Sequence, residues 1–286
     1  MPTPDVSETL DATLVVKCGY RGARFSGYAE QEGQRTVAGE LRRALETLFR
    51  REVDLTCAGR TDAGVSAIAQ YVSLPVTFGE LASRSPQRLW RSLMAITDED
   101  VSIKGLYTAP QGFSARFDAQ SRSYRYRIAS GNAQPVLAWD HCWWVRSQLD
   151  ASAMAEAALP LVGEHDFRSF CKVSSAAMLD QAGRSLKRCV ERLEVAEVTE
   201  CGEDLIAIDV RGNAFLHNMV RIIVGTLVEV GRNNRDTGFA ARALAAKDRR
   251  AAGPTAPAKG LVFTDVCYPA GLLTPFTDAR ANMLKC

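Results

Sequence analysis

Residues 214–230 constrain the fold of this 286-residue chain more than any other stretch. Phe215, Leu216, Met219, Val220, Ile222, Ile223, Val224, Leu227, Val228 and Val230 leave almost no polar face at helical spacing. A helix apolar nearly all round has to be enclosed by other elements. The chain must therefore build a substantial core, and its length allows one large domain or two ordinary ones. Arg221 sits in the middle of the segment, and a guanidinium taken into an apolar core needs a partner, because unpaired desolvation is costly. His217, Arg221, Gly225 and Glu229 recur every four residues and so share one stripe of the expected helix. Two kinds of partner are open to the cation: Glu229 or another structural acid, or the aspartate of a distant loop.

That loop reads Cys57-Ala-Gly-Arg-Thr-Asp-Ala-Gly-Val-Ser-Ala67. Arg60 and Asp62 stand between Gly59 and Gly64, with strand-like sequence following. Glycines at these positions allow backbone geometry closed to other residues and let a ligand approach. The segment is either an Asx-type turn at a strand end or a carboxylate presented for chemistry.

Periodicity organises the rest. A strand is expected at 13–18, a Gly-rich loop at 19–33 and a helix at 36–50 with Val37, Leu41, Leu45, Leu48 and Phe49 on one face. Strands at 53–57 and 67–76, a helix at 84–96 and a strand at 101–107 complete a β-α-β-β-α-β order, which suits a ferredoxin-like sheet. The second half offers strands at 120–129, 188–198, 204–211 and 261–268, helices at 149–161, 214–230 and 236–247, and a loop at 251–260. The boundary is expected near residue 112, giving a loose tail over 1–11, a first domain over 12–112 and a second over 113–286.

Net charge is only +2, so overall basicity does not announce a nucleic-acid partner. Distribution says more: 28 arginines stand against 7 lysines, and arginine is the better residue for phosphate contacts and base stacking. Clusters occur at Arg21/Arg24, Arg42/Arg43, Arg50/Arg51 and Arg122/Arg125/Arg127. In the segment from Phe113 to Arg127, Tyr124 and Tyr126 fall on one strand face and Arg125 and Arg127 on the other. This alternation fits a half-buried strand with a charged outer face, and equally a surface where bases stack and phosphates are gripped. The eight cysteines are scattered without a Cys-x-x-Cys pair, and with only three histidines no zinc spacing exists. Neither a signal peptide nor a membrane span is expected, so the chain reads as cytoplasmic with free thiols.

Four spaced motifs together resemble the TruA-type tRNA pseudouridine synthase family. The Asp loop is similar to its Gly-Arg-Thr-Asp-Ala-Gly-Val-His-Ala signature, and Tyr20-Arg-Gly-Ala-Arg-Phe-Ser-Gly27 to its opening loop. Phe113–Tyr126 resembles the segment carrying its active-site tyrosine, and Gly212–Leu227 its buried helix. Pro257-Ala-Lys-Gly-Leu261 with Val266-Cys-Tyr-Pro269 resembles its closing strand. Departures are Ser66 and Ser114, where the family usually has histidine, and Tyr28-Ala29 in place of Trp-Gln.

The resemblance implies an α/β (α+β) fold of two ferredoxin-like halves forming a continuous, mainly antiparallel sheet flanked by helices, with the active-site cleft between them. It implies isomerisation of uridine to pseudouridine at positions 38–40 of the tRNA anticodon stem-loop, by a homodimer with no cofactor and no metal. Asp62 would be catalytic, Tyr124 the tyrosine over the base and Arg221 the partner of Asp62. Arg60 would hold the flipped nucleotide, with Arg24, Arg116, Arg122 and Arg125 as further candidates for gripping RNA. The rival reading is a catalytically inactive tRNA-binding or RNA-remodelling protein, for which Ser66 and Ser114 are the support.

Overall fold

The computed structural model describes residues 10–276; residues 1–9 of the expected tail lie outside the described residues. Asp11 is already engaged, its Oδ1 accepting from the Phe78 amide at 2.8 Å. The chain is a mixed α/β fold whose strands are mainly antiparallel and flanked by helices, as expected. It divides into two compact units: one of residues up to 61, 67–120 and from 266 on, the other of residues 62–66 and 121–265.

The first unit runs β1 (Ala12–Tyr20), α1 (Val37–Phe49), β2 (Thr56–Cys57), β3 (Ser66–Val76), α2 (Phe78–Ala82), α3 (Pro86–Ile96) and β4 (Val101–Ala109). Its strands lie in the order β4-β1-β3-β2, every neighbour antiparallel. This is the ferredoxin-like order the sequence predicts. Helix α1 begins where the Thr36 side chain accepts from the Gly39 amide and ends at Arg50 in a left-handed conformation (φ 57°). Val37, Leu41, Ala44, Leu45 and Leu48 form its buried face. The helix expected at 84–96 is preceded by a separate short one, α2. Thr77 and Glu80 close a capping box there, and Ser85-Pro86 then starts α3 afresh.

The second unit contains β5 (Ser121–Ser130), β6 (Trp143–Val145), α4 (Ala151–Ala158), β7 (Gly163–Asp166), α5 (Val173–Gln181), β8 (Lys187–Glu200), β9 (Glu203–Gly212), α6 (Met219–Gly231), α7 (Phe239–Ala246) and most of β10 (Leu261–Cys267). Strand order is β10-β5-β9-β8-β7, with β6 parallel to β5. With α4 between β5 and β8 and α6 between β9 and β10, the order β10-β5-β9-β8 repeats the ferredoxin-like path of the first unit. The two-residue β11 (Thr274–Pro275) pairs with β4. Division between the units falls at 120/121 rather than 112, because residues 113–120 pack with the first: the Ala115 amide donates to Ser73 Oγ and the Gln120 amide to the Cys267 carbonyl.

Helix α6 is enclosed as its composition demands: eleven of its thirteen residues are buried. Each fully buried Leu, Ile or Val side chain contributes about 1.5–3 kcal/mol relative to exposure, so packing dominates its stability. It starts at Met219 and not at 214, because Asn218 adopts a left-handed conformation (φ 64°) that ends the preceding turn. Against its side lies the segment 253–256. The Gly253 amide donates to Thr226 Oγ1 (2.9 Å), and the Ala256 amide to the Arg221 carbonyl (3.0 Å). A Cβ on Gly225 would stand 1.8 Å from the Pro254 carbonyl oxygen.

Gly225→Ala is accordingly expected to reverse the usual gain of alanine over glycine in a helix and to destabilise by about 1–3 kcal/mol. Urea unfolding at neutral pH checks this; a stabilised variant would show that 253–256 moves aside freely.

Candidate active site

Asp62 opens a turn closed by the Val65 amide donating to the Asp62 carbonyl at 3.1 Å. Gly64, with φ of 80°, occupies the third turn position, where positive φ is required. Ala258 Cβ is the neighbour that a side chain at Gly64 would meet, at 3.2 Å. Just upstream, residues 59–61 are fixed within the first unit. Gln70 Nε2 donates to the Gly59 carbonyl (2.6 Å), Tyr20 Oη lies 2.8 Å from Thr61 Oγ1, and the Tyr28 amide donates to the Thr61 carbonyl (3.0 Å).

Of the two partners open to Arg221, the structure selects Asp62. Arg221 Nη1 donates to Asp62 Oδ2 at 3.0 Å, while Glu229 instead takes Arg232 and Asn234. Two further bonds aim the guanidinium: Nε donates to the Ala256 carbonyl (2.8 Å) and Nη1 also to Asn218 Oδ1 (3.0 Å). The pair is partly buried, with Asp62 28% and Arg221 18% exposed, so it is better shielded from solvent than a surface ion pair. Tyr126 packs nearby, its hydroxyl donating to the Pro257 carbonyl (2.7 Å). Burial pushes that phenol's pKa up, and the Arg221 charge opposes the rise.

His217 is a site residue that the sequence reading left without a role. Its Nε2 lies 3.4 Å from Asp62 Oδ1, and its Nδ1 lies 2.8 Å from Ser175 Oγ. The four-residue stripe was the signal, although His217 stands outside the helix. The left-handed Asn218 turns the chain so that His217 and Arg221 address the two oxygens of one carboxylate.

Tyr124 is 9% exposed, packed edge-on to Phe215 (5.2 Å between centroids) and against Phe263 (4.8 Å). Its strand-mate Arg125 was a candidate for RNA contact. Its guanidinium is instead held by both oxygens of Asp209, directly opposite on β9, and by Glu200. Arg122 is also withdrawn, buried and donating to the Asn213 carbonyl at 2.7 Å. Arg24, Arg60 and Arg116 are exposed in the first unit, Arg116 lying over the ring of Phe117. Ser114 caps a local turn, its Oγ accepting from the Phe117 amide (3.3 Å) and its own amide donating to Asp118 (2.7 Å).

All seven described cysteines are free, and burial pushes the Cys18 thiol up to about 12, which suits packing and not nucleophilic attack. Among the described residues no group of three or more His, Cys, Asp or Glu side chains is placed to hold a metal ion, and no helix is long and apolar enough to cross a membrane. What the cluster can do is present one carboxylate with a polar neighbour at each oxygen.

A family model described as tRNA pseudouridine synthase matches residues 157–269. A tRNA pseudouridine synthase A of Frankia casuarinae is 42% identical over 279 residues, covering 95% of this chain and 94% of that one. Another, from Geobacillus sp. (strain WCH70), is 38% identical over 88% of this chain and 98% of its own length. One from Xanthomonas euvesicatoria is 37% identical over 88% of this chain and 93% of its own. Similarity on this scale runs through both compact units, and the chain belongs to the tRNA pseudouridine synthase family.

Proposed function

We propose that this enzyme isomerises uridine to pseudouridine in tRNA, at positions 38–40 of the anticodon stem-loop, with Asp62 as the catalytic group. The observation that carries the reading is the Arg221–Asp62 bond at 3.0 Å, which aims one carboxylate from a loop that carries the family signature. In the reaction the N1–C1′ bond breaks, the uracil turns, C5 bonds to C1′ and the C5 hydrogen leaves as a proton. The rearrangement is redox-neutral and calls on no cofactor. A base in a stem is out of reach of such a carboxylate, so the target uridine is flipped from its stack. Arg60, exposed two residues before Asp62, holds the flipped nucleotide, and Tyr124 lies against the uracil. The enzyme works in the cytoplasm as a homodimer, in keeping with the family resemblance.

Tritium release from tRNA transcripts carrying 5-tritiated uridine tests the activity. Wild-type protein is expected to release tritium, and Asp62→Asn to release none while binding tRNA with affinity within a few-fold of wild type. An active Asp62→Asn enzyme would remove Asp62 from its role. Tyr124→Leu keeps apolar bulk between Phe215 and Phe263 but loses the aromatic face. Stacking contributes about 1–3 kcal/mol per base, so turnover should fall roughly 5- to 150-fold. Unchanged turnover would leave Tyr124 as a packing residue only. For His217→Ala, kcat is expected to fall about tenfold with KM nearly constant, the cost of losing one polar neighbour of a charged group. A rise in KM alone would place His217 in substrate binding.

A further inference from the structure

Beside the catalytic cluster, the second unit holds a cavity of about 510 Å³ whose walls include Lys172, Ser174, Asn218, Arg249 and Thr255. None of its lining residues is acidic. By contrast, Arg125, Arg127, Arg168, Arg211, Arg242 and Arg250 of the same unit each carry a carboxylate partner. Arg249 is anchored by neutral oxygens: Nη1 donates to the carbonyls of Ala252 (3.4 Å) and Gly253 (2.9 Å), and Nη2 to Thr255 Oγ1 (3.2 Å). Burial lowers its pKa and no acid among the described residues offsets the cost, so the charge is held in place by neutral oxygens. A fixed, partly desolvated guanidinium of this kind is stabilised by an incoming anion.

Lys172, also lining the cavity, is exposed at the start of α5. Its amide donates to the His217 carbonyl at 3.1 Å, which fixes its position relative to the catalytic histidine. Asn218 joins the cavity to the reacting carboxylate, because its Oδ1 accepts from the same Arg221 nitrogen that bonds Asp62. An anion seated here would stand one guanidinium away from the catalytic group. Two cations, two hydroxyls and an amide suit a singly charged phosphodiester, the group that any RNA strand brings to within a nucleotide of its reacting base.

We propose that the Lys172–Arg249 cavity is the subsite for a backbone phosphate of the RNA strand carrying the target uridine, fixing the flipped nucleotide's register over Asp62. The proposal rests on the isomerase reading above and specifies how the substrate is held. Single-charge neutralisation tests it, with affinity for an anticodon stem-loop RNA measured by titration across a range of salt.

Lys172→Gln, a change at an exposed position, should weaken binding about tenfold and reduce the slope of log affinity against log salt by about one. Arg249→Gln should do the same, with Arg249→Lys restoring most of the affinity and far-ultraviolet dichroism confirming the fold. A stem-loop bearing one neutral methylphosphonate linkage next to the target uridine should bind wild type about tenfold more weakly and Lys172→Gln no worse than the natural RNA does. Unchanged affinity and salt slope in Lys172→Gln would overturn the subsite. So would a methylphosphonate penalty that simply adds to that of the variant. Inorganic phosphate that competes with every RNA, methylphosphonate or not, would mark a site for the free anion and overturn it too. Tritium release by wild type is scored separately: its absence would sink the isomerase reading while the binding measurements still decide the subsite.

Discussion

Segment 253–256 meets helix α6 so closely that the glycine at 225 admits no side chain, and the active site hangs on that contact. The Ala256 amide bonds back to the Arg221 carbonyl while the Ala256 carbonyl receives Arg221 Nε, so one residue fixes both backbone and side chain of the arginine that meets Asp62. A loop residue thereby sets the direction in which a cation buried in an apolar helix points. The aim of Arg221 determines where Asp62 is held, and Gly64 keeps the turn of Asp62 narrow enough to lie by Ala258. Catalytic groups have to be fixed to within fractions of an ångström by packing around them, and here that packing is backbone against backbone.

Much of this was legible in the sequence, for identifiable reasons. Helix α1 has an apolar face and a threonine cap, both local signals, and its observed bounds follow them. The ferredoxin-like order of the first unit follows from the alternation of strand and helix patterns. Burial of α6 was forced by composition, yet its first residue was not, since it depends on the left-handed conformation of Asn218. Arg221 announced that it needed an acid but could not name one. Arg125 looked suited to RNA, and only the register of β5 on β9 reveals that Asp209 lies opposite. Arg249 carries no sequence signal at all: what matters is the acid it lacks, and absence of a partner is a property of three dimensions.

The arginine excess also takes on a clearer sense. Most of the guanidinium groups in the second unit are paired with acids and act as struts between strands and loops. With 33 acids against 35 Lys and Arg, the chain supplies the carboxylates for such pairing, and its net charge is only +2. Arg188 and Arg249 are held by neutral oxygens instead.

Asp62 and Arg221 are separated by 159 positions along the chain. A ribosome adding about 5–20 residues per second takes roughly 10–30 s to travel from the first to the second. Through that interval the aspartate loop exists with nothing to aim it, and it waits longer still for Ala256 to emerge and orient the arginine. The full arrangement thus forms only after Ala256 has been made, and a chain stopped before Arg221 carries the signature loop without the partner that aims it.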